Sequence, residues 1–160
     1  MSRPLVLCAS LAAILALFGC APGRDDELRT LVDDVAPAQK EMVSCEWESN
    51  WGNATDVKSY YGCAWTVRGT IARVGRPLVS RAVAHDFTVY CRGADKVFEV
   101  IAARGKTGLA MQIMAPGYAR TASISAEDDR IPKGHVLVRI GAAKFESGAP
   151  EGGSDERCVA

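Results

Sequence analysis

An apolar run from Leu5 to Phe18, preceded by Arg3 and closed by Gly19-Cys20, removes the start of this chain from the part that must fold. A basic start, a short apolar core and a small residue before the end make an export signal. The run is too short for a membrane-spanning helix, which needs ~20 apolar residues. Cleavage after residue 19 leaves roughly 140 residues, the length of one domain with its own core. Export also fixes the redox state in which that domain matures.

Leu17-Phe18-Gly19-Cys20 gives the signal a second meaning. The segment resembles the type II signal peptide of bacterial lipoproteins, whose lipobox runs Leu-x-Gly/Ala-Cys. The resemblance implies cleavage before Cys20, a diacylglyceryl group on its sulfur and acylation of the new N-terminus, a palmitate-type anchor. Ordinary signal peptidase fits less well, because Leu17 stands where a small residue is wanted. Two or more acyl chains hold a protein on a bilayer stably where one does not. Ala21 follows the cysteine. By the sorting rule of such lipoproteins, this implies the periplasmic face of the outer membrane in a two-membrane cell. In a one-membrane cell it implies the outer face of the cell membrane.

Cys8 leaves with the signal and Cys20 takes the lipid, so Cys45, Cys63, Cys91 and Cys158 remain. An even number of cysteines in an exported chain reads as two disulfides with three possible connectivities. Cys45–Cys63 is favoured because it closes a local loop. Cys91–Cys158 then pins the C-terminal end, with a free Cys158 thiol as the alternative. The chain carries 19 basic and 19 acidic residues, and loss of Arg3 leaves the mature form near neutral. That balance offers no electrostatic case for nucleic acid.

Residues 20–25 form a short lipidated tether, which contains the breaker cluster Ala21-Pro22-Gly23. Asp25 or Asp26 caps a helix whose stripe is Leu28, Leu31, Val32 and Val35. Pro37 breaks it, and a further turn or two of helix is expected to reach Met42 and Val43. Residues 63–70 alternate as a strand. Leu78, Val79, Ala82 and Val83 fit a short helix starting at Pro77, with a long strand running on to Cys91 as the alternative. Strands are expected at 86–92, 97–103, 109–114, 118–125 and 135–140, with 104–108 as a hairpin loop and 127–134 as a polar turn. Residues 147–160, rich in Gly, Ser, Pro and acid at their start, read as a flexible tail. The expected architecture for residues 26–146 is α+β: one or two helices packed on a mostly antiparallel sheet of about five strands, stapled by disulfides.

The segment between Cys45 and Cys63 concentrates Trp47, Trp51, Tyr60 and Tyr61 around a Gly52-Asn53 turn. Trp and Tyr combine flat apolar faces with polar tips and stack on sugars or anchor protein partners. Trp51, Tyr60 and Tyr61 are the candidate ligand-binding residues, with Trp51 and Tyr60 as the more exposed pair. The competing reading places Trp47, Trp65 and one tyrosine in the core. Glu46, Glu48, Asn50, Asn53 and Asp56 cluster in the same segment, as do Glu127, Asp128 and Asp129 further on, but neither has calcium-loop spacing.

Gly105-Lys106-Thr107 ends like a P-loop, yet Val100 occupies the position of its first glycine. Lys106-Thr107-Gly108 has no Ser-x-x-Lys partner of the kind penicillin-binding enzymes carry. His85 and His135 are the only histidines, there is no Cys-x-x-Cys, and there is no Gly-x-Ser-x-Gly. No catalytic residue, metal or cofactor is therefore expected. The expected function is a lipid-anchored, non-enzymatic domain that binds an envelope protein or glycan. The alternatives are a structural or assembly subunit of an envelope complex and, behind it, an envelope-polymer enzyme.

Overall fold

The computed structural model describes residues 24–48, 56–94, 96–118, 131–150 and 156–158. Its elements are α1 (Arg24–Val35), β1 (Glu41–Glu48), β2 (Val57–Arg68), α2 (Ile71–Ala84), β3 (Thr88–Ala94), β4 (Val97–Arg104), β5 (Thr107–Met114), β6 (His135–Phe145) and the two-residue β7 (Glu156–Arg157). The fold is α+β, as expected. The sheet has six long strands and the short β7 rather than about five, in the order β1-β2-β6-β5-β4-β3-β7, antiparallel throughout.

The chain lays β1 against β2, crosses one face through α2 to β3, and returns by the meander β3-β4-β5-β6 to close beside β2. Strand alternation sends Tyr61, Cys63, Trp65 and Val67 of β2, with Val136, Val138, Ile140 and Ala142 of β6, to the face covered by the helices. The predicted stripe Leu28, Leu31, Val32 and Val35 of α1 is buried there. α1 rests on β2 and β6, whereas α2 rests on β3, β4 and β5. On the opposite face a smaller cluster, Ala64, Val97, Met114 and Leu137, is covered in part by Val43, Tyr118 and Ile131.

The helix boundaries differ from expectation at three points. α1 already begins at Arg24, so Asp25 and Asp26 lie within its first turn and are not its cap. α1 stops at Val35, and Met42 and Val43 lie in β1 rather than in a further helical turn. Pairing decides this: Met42 stands opposite Trp65 and Cys45 opposite Cys63, a hydrogen-bonded ladder that no local periodicity announces. α2 begins at Ile71, with Thr70 as N-cap accepting from the Arg73 amide at 3.4 Å, so Pro77 lies inside the helix and not at its first position. Pro77 faces solvent while Val74, Gly75, Leu78, Val79 and Ala82 face the sheet. Gly75 permits that packing, since a Cβ there would stand 3.0 Å from Phe98.

α2 ends in a Schellman motif: the Phe87 amide donates to Ala82 O at 3.2 Å and the Asp86 amide to Val83 O at 3.0 Å. Asp86 takes the left-handed position, with φ 62°, that glycine normally fills. Arg81 ties the helices together by donating to the carbonyls of Val35, at 3.2 Å, and Ala36 at the C-terminus of α1. α1 has no basic residue in its own last turn, so α2 supplies the cation that its terminal carbonyls favour.

Both expected disulfides are present: Cys45–Cys63, with Cα atoms 4.1 Å apart across β1 and β2, and Cys91–Cys158, at 5.4 Å. The second bears on the expected flexible tail at 147–160, of which residues 147–150 and 156–158 are described, and these are tied to the sheet. β7 pairs with β3, the Cys158 amide donates to Val89 O at 3.0 Å, and the Ala149 amide donates to Gly105 O at 2.9 Å. Residues 119–125 of the expected strand at 118–125, and 127–130, half of the expected polar turn at 127–134, lie outside the described residues. The expected 104–108 loop is tighter than a loop, because Arg104 and Thr107 pair directly around Gly105-Lys106.

Candidate binding surface

β2 places Tyr60 and Tyr61 on opposite faces of the sheet. Tyr61 is 5% exposed in the helix-covered core, with its hydroxyl 3.1 Å from the Cys63 sulfur. A disulfide sulfur has no hydrogen, so the tyrosine O–H is the donor. Tyr61 is thus corrected from a surface contact to a core residue, for the reason that adjacent strand residues cannot share a face. Trp65, further along β2 on the same face, is fully buried with Lys40 Nζ 4.8 Å from its ring centre. Trp51 lies outside the described residues, as does the Trp47 side chain.

Tyr60 is half-buried on the face away from the helices. Its ring lies over two glycines that stand opposite one another, Gly62 of β2 and Gly141 of β6. A Cβ at Gly62 would come 2.2 Å from Tyr60 Oη, and one at Gly141 would come 2.6 Å from Cε2 and Oη. Neither site admits a side chain while the ring is there. The glycines form a shelf, and the aromatic ring supplies the packing that they lack.

Beside the shelf a row of directly opposed residues crosses six strands: Arg92, Glu99, Gln112, Arg139, Ala64 and Ser44. Within it Glu99 is fully engaged. Arg92 Nε donates to Oε2 at 3.0 Å, and Gln112 Nε2 donates to Oε1 at 3.0 Å. Arg139, one strand beyond Gln112, is half-buried and has no hydrogen-bond or ion-pair partner among the described residues. It lines a shallow cleft of about 50 Å³ with Tyr60, Ser44, Gly62 and Ala64. That volume holds a few waters or one small polar group, far below the ~300 Å³ of a drug-sized pocket.

The polar segment preceding β2 resolves differently. Asp56 is held by the Ser147 hydroxyl, which donates to its Oδ2, and this bond lowers the carboxyl below its ordinary value. The same residue's carbonyl accepts from the Glu146 amide at 3.0 Å. Among the described residues no three His, Cys, Asp or Glu side chains gather as metal ligands. His85 is the C-cap of α2, and His135 Nδ1 lies 3.2 Å from Lys133 O at the start of β6, so the two serve separate turns. No described helix is long and apolar enough to cross a membrane.

Of the residues that form this surface, the sequence points to Tyr60 and not to Arg139, Gln112, Gly62 or Gly141. A signal exists for part of the rest. Once Val136, Val138 and Ile140 are assigned to the core face, alternation sends Leu137, Arg139 and Gly141 to the other. Their meeting with Tyr60 depends on the β2–β6 pairing, which joins residues about eighty positions apart and leaves no local trace. No family model, no curated protein and no solved structure matches this chain.

Proposed function

We propose that this chain is a bacterial lipoprotein, anchored through Cys20, whose α+β domain offers a non-enzymatic binding surface to an envelope protein or glycan. The observation that carries the reading is the half-buried Tyr60 ring on its glycine shelf, beside an Arg139 guanidinium without a partner among the described residues. An aromatic face next to a forked donor suits recognition of sugars and of protein side chains. Trp51 stays a candidate contact in this reading on its place in the sequence alone.

The tether supports the placement of this surface. Four steps of chain separate Cys20 from Arg24, the first residue of α1, a reach of about 14 Å at most. Glu27 in the first turn of α1 pairs with Lys144 at 2.8 Å, and Lys144 stands opposite Thr107 beside the Gly105-Lys106 turn. Lipid on Cys20 would hold that end of the sheet toward the bilayer and leave the Tyr60 face open sideways. The host envelope then decides between the periplasmic face of an outer membrane and the outer face of a cell membrane.

The test is affinity recovery of crosslinked partners from native membranes, with Trp51→Ala and Tyr60→Ala variants beside the natural chain. The reading expects an N-terminal peptide that begins at a lipid-bearing Cys20, and loss of partners in the variants. An unchanged set of partners removes the binding surface. A second reading, an assembly subunit docking through the edge of its sheet, is favoured by Met42, which is 66% exposed on the edge strand β1. Substitution of Met42 separates the two, because it leaves the Tyr60 face intact.

A further inference from the structure

We infer that the Tyr60–Arg139 cleft is a carboxylate site: it takes a singly charged carboxylate whose carbon skeleton lies on the Tyr60 ring. This rests on the binding reading above and names the chemistry of its ligand. Among the described residues Arg139 is the only cation lining the cleft, and the one carboxylate of its row is used elsewhere. Glu99 gives one oxygen to Arg92 and the other to Gln112. The row therefore carries its unmatched positive charge at the cleft end.

A guanidinium offers a planar fork that matches the two oxygens of a carboxylate. Ser44 and Tyr60 line the same cleft, and each also holds a contact of its own. The free volume of about 50 Å³ suits one carboxylate group and excludes a bulky polyanion. Charge points the same way: one unmatched guanidinium balances a singly charged carboxylate and leaves half the charge of a doubly charged phosphate without a partner.

The skeleton attached to the carboxylate is limited by the shelf. Gly62 and Gly141 keep the floor level with the backbone, so an extended ligand can run from Arg139 across the Tyr60 ring. An acidic sugar and a peptide C-terminus both present a carboxylate on such a skeleton. They share the chemistry claimed here, and the probes below distinguish them.

The experiment uses the full chain, isotopically labelled and held in detergent with both disulfides formed. Sodium glucuronate and N-acetyl-alanyl-alanine are titrated separately, with glucose and N-acetyl-alanyl-alanine amide as uncharged controls. The expected result is a saturable shift of the Ser44, Gly62, Arg139 and Gly141 amides with at least one acid and with neither control. Arg139→Gln should weaken that binding by about tenfold or more, as loss of a charge-assisted pair does. Arg139→Lys should restore part of it. Tighter binding of glucuronate names a sugar source, and tighter binding of the dipeptide names a peptide source.

No saturable shift with either acid, or equal shifts in the Arg139→Gln protein, overturns the assignment. An unchanged thermal midpoint in Arg139→Gln shows that the loss is not unfolding. Recovery of the same crosslinked partners by Arg139→Gln, with loss in Tyr60→Ala, would leave the binding surface standing and remove the carboxylate alone.

Discussion

Alanine at Gly141 tests the shelf. Its Cβ would stand 2.6 Å from Tyr60 Cε2 and Oη and 2.9 Å from Cζ. Ordinary carbon contacts lie at ~3.5–4.0 Å, so the ring must lift by roughly 1 Å along much of its length. Overpacking of this kind costs about 1–3 kcal/mol. Replacing a strand-interior glycine also gains about 0.5–1 kcal/mol from the unfolded chain. The net loss for Gly141→Ala is therefore about 0–2.5 kcal/mol. In a Tyr60→Ala background the obstacle is gone and only the gain remains, so Gly141→Ala becomes neutral or stabilising. The two sites should couple by about 1–3 kcal/mol in a double-mutant cycle. Urea unfolding of the oxidised protein, followed by the fluorescence of buried Trp65, measures all four forms. A coupling below about 0.5 kcal/mol would refute the stacking of Tyr60 on Gly141.

The same structure sets four further outcomes. Removing Cys91–Cys158, which spans 67 positions, should cost about 4 kcal/mol, and removing Cys45–Cys63, which spans 18, about 3 kcal/mol, so denaturant midpoints of the paired serine variants should fall in that order. Arg81→Ala leaves the Val35 and Ala36 carbonyls without their cation and should cost about 1.5–3 kcal/mol, read by thermal unfolding. Asp86→Gly relieves a left-handed backbone and should stabilise by about 0.5–1 kcal/mol, raising the unfolding midpoint. Asp56 has its folded pKa depressed by the Ser147 hydroxyl, so its contribution is present above its ordinary value of 3.8 and is lost as pH falls through the lower folded value; Ser147→Ala should move the Asp56 titration, followed by carbon NMR, up toward 3.8.

Local pattern carries much of the fold. The α1 stripe is a 3.6-residue period over four apolar positions, β4 and β5 alternate over their central residues, and Val136, Val138 and Ile140 share one face of β6. Even cysteine counting with a preference for the nearer pair leads to both disulfides. β1 is hidden because Met42 and Val43 follow Pro37 without a period of their own, and only β2 gives them a partner. α2 reads too late in the sequence because Pro77 looks like a helix start, while the Thr70 cap lies seven positions earlier. Tyr61 is the instructive error at the site. With Trp65 taken as core, a period of two already sends Tyr61 inward and Tyr60 outward. The row from Arg92 to Ser44 is beyond reach, because it is assembled from six strands whose order is not written in any one of them.

Site-specific photocrosslinking in native membranes addresses the binding surface most directly. A photoreactive residue at Gln112, inside the polar row beside Arg139, is compared with one at Arg76, exposed on α2 across the sheet. If the Tyr60 face binds a partner, position 112 gives a discrete adduct that is absent from position 76 and lost on adding Tyr60→Ala. Adducts from position 76 alone, or adducts from 112 that ignore Tyr60→Ala, would contradict it.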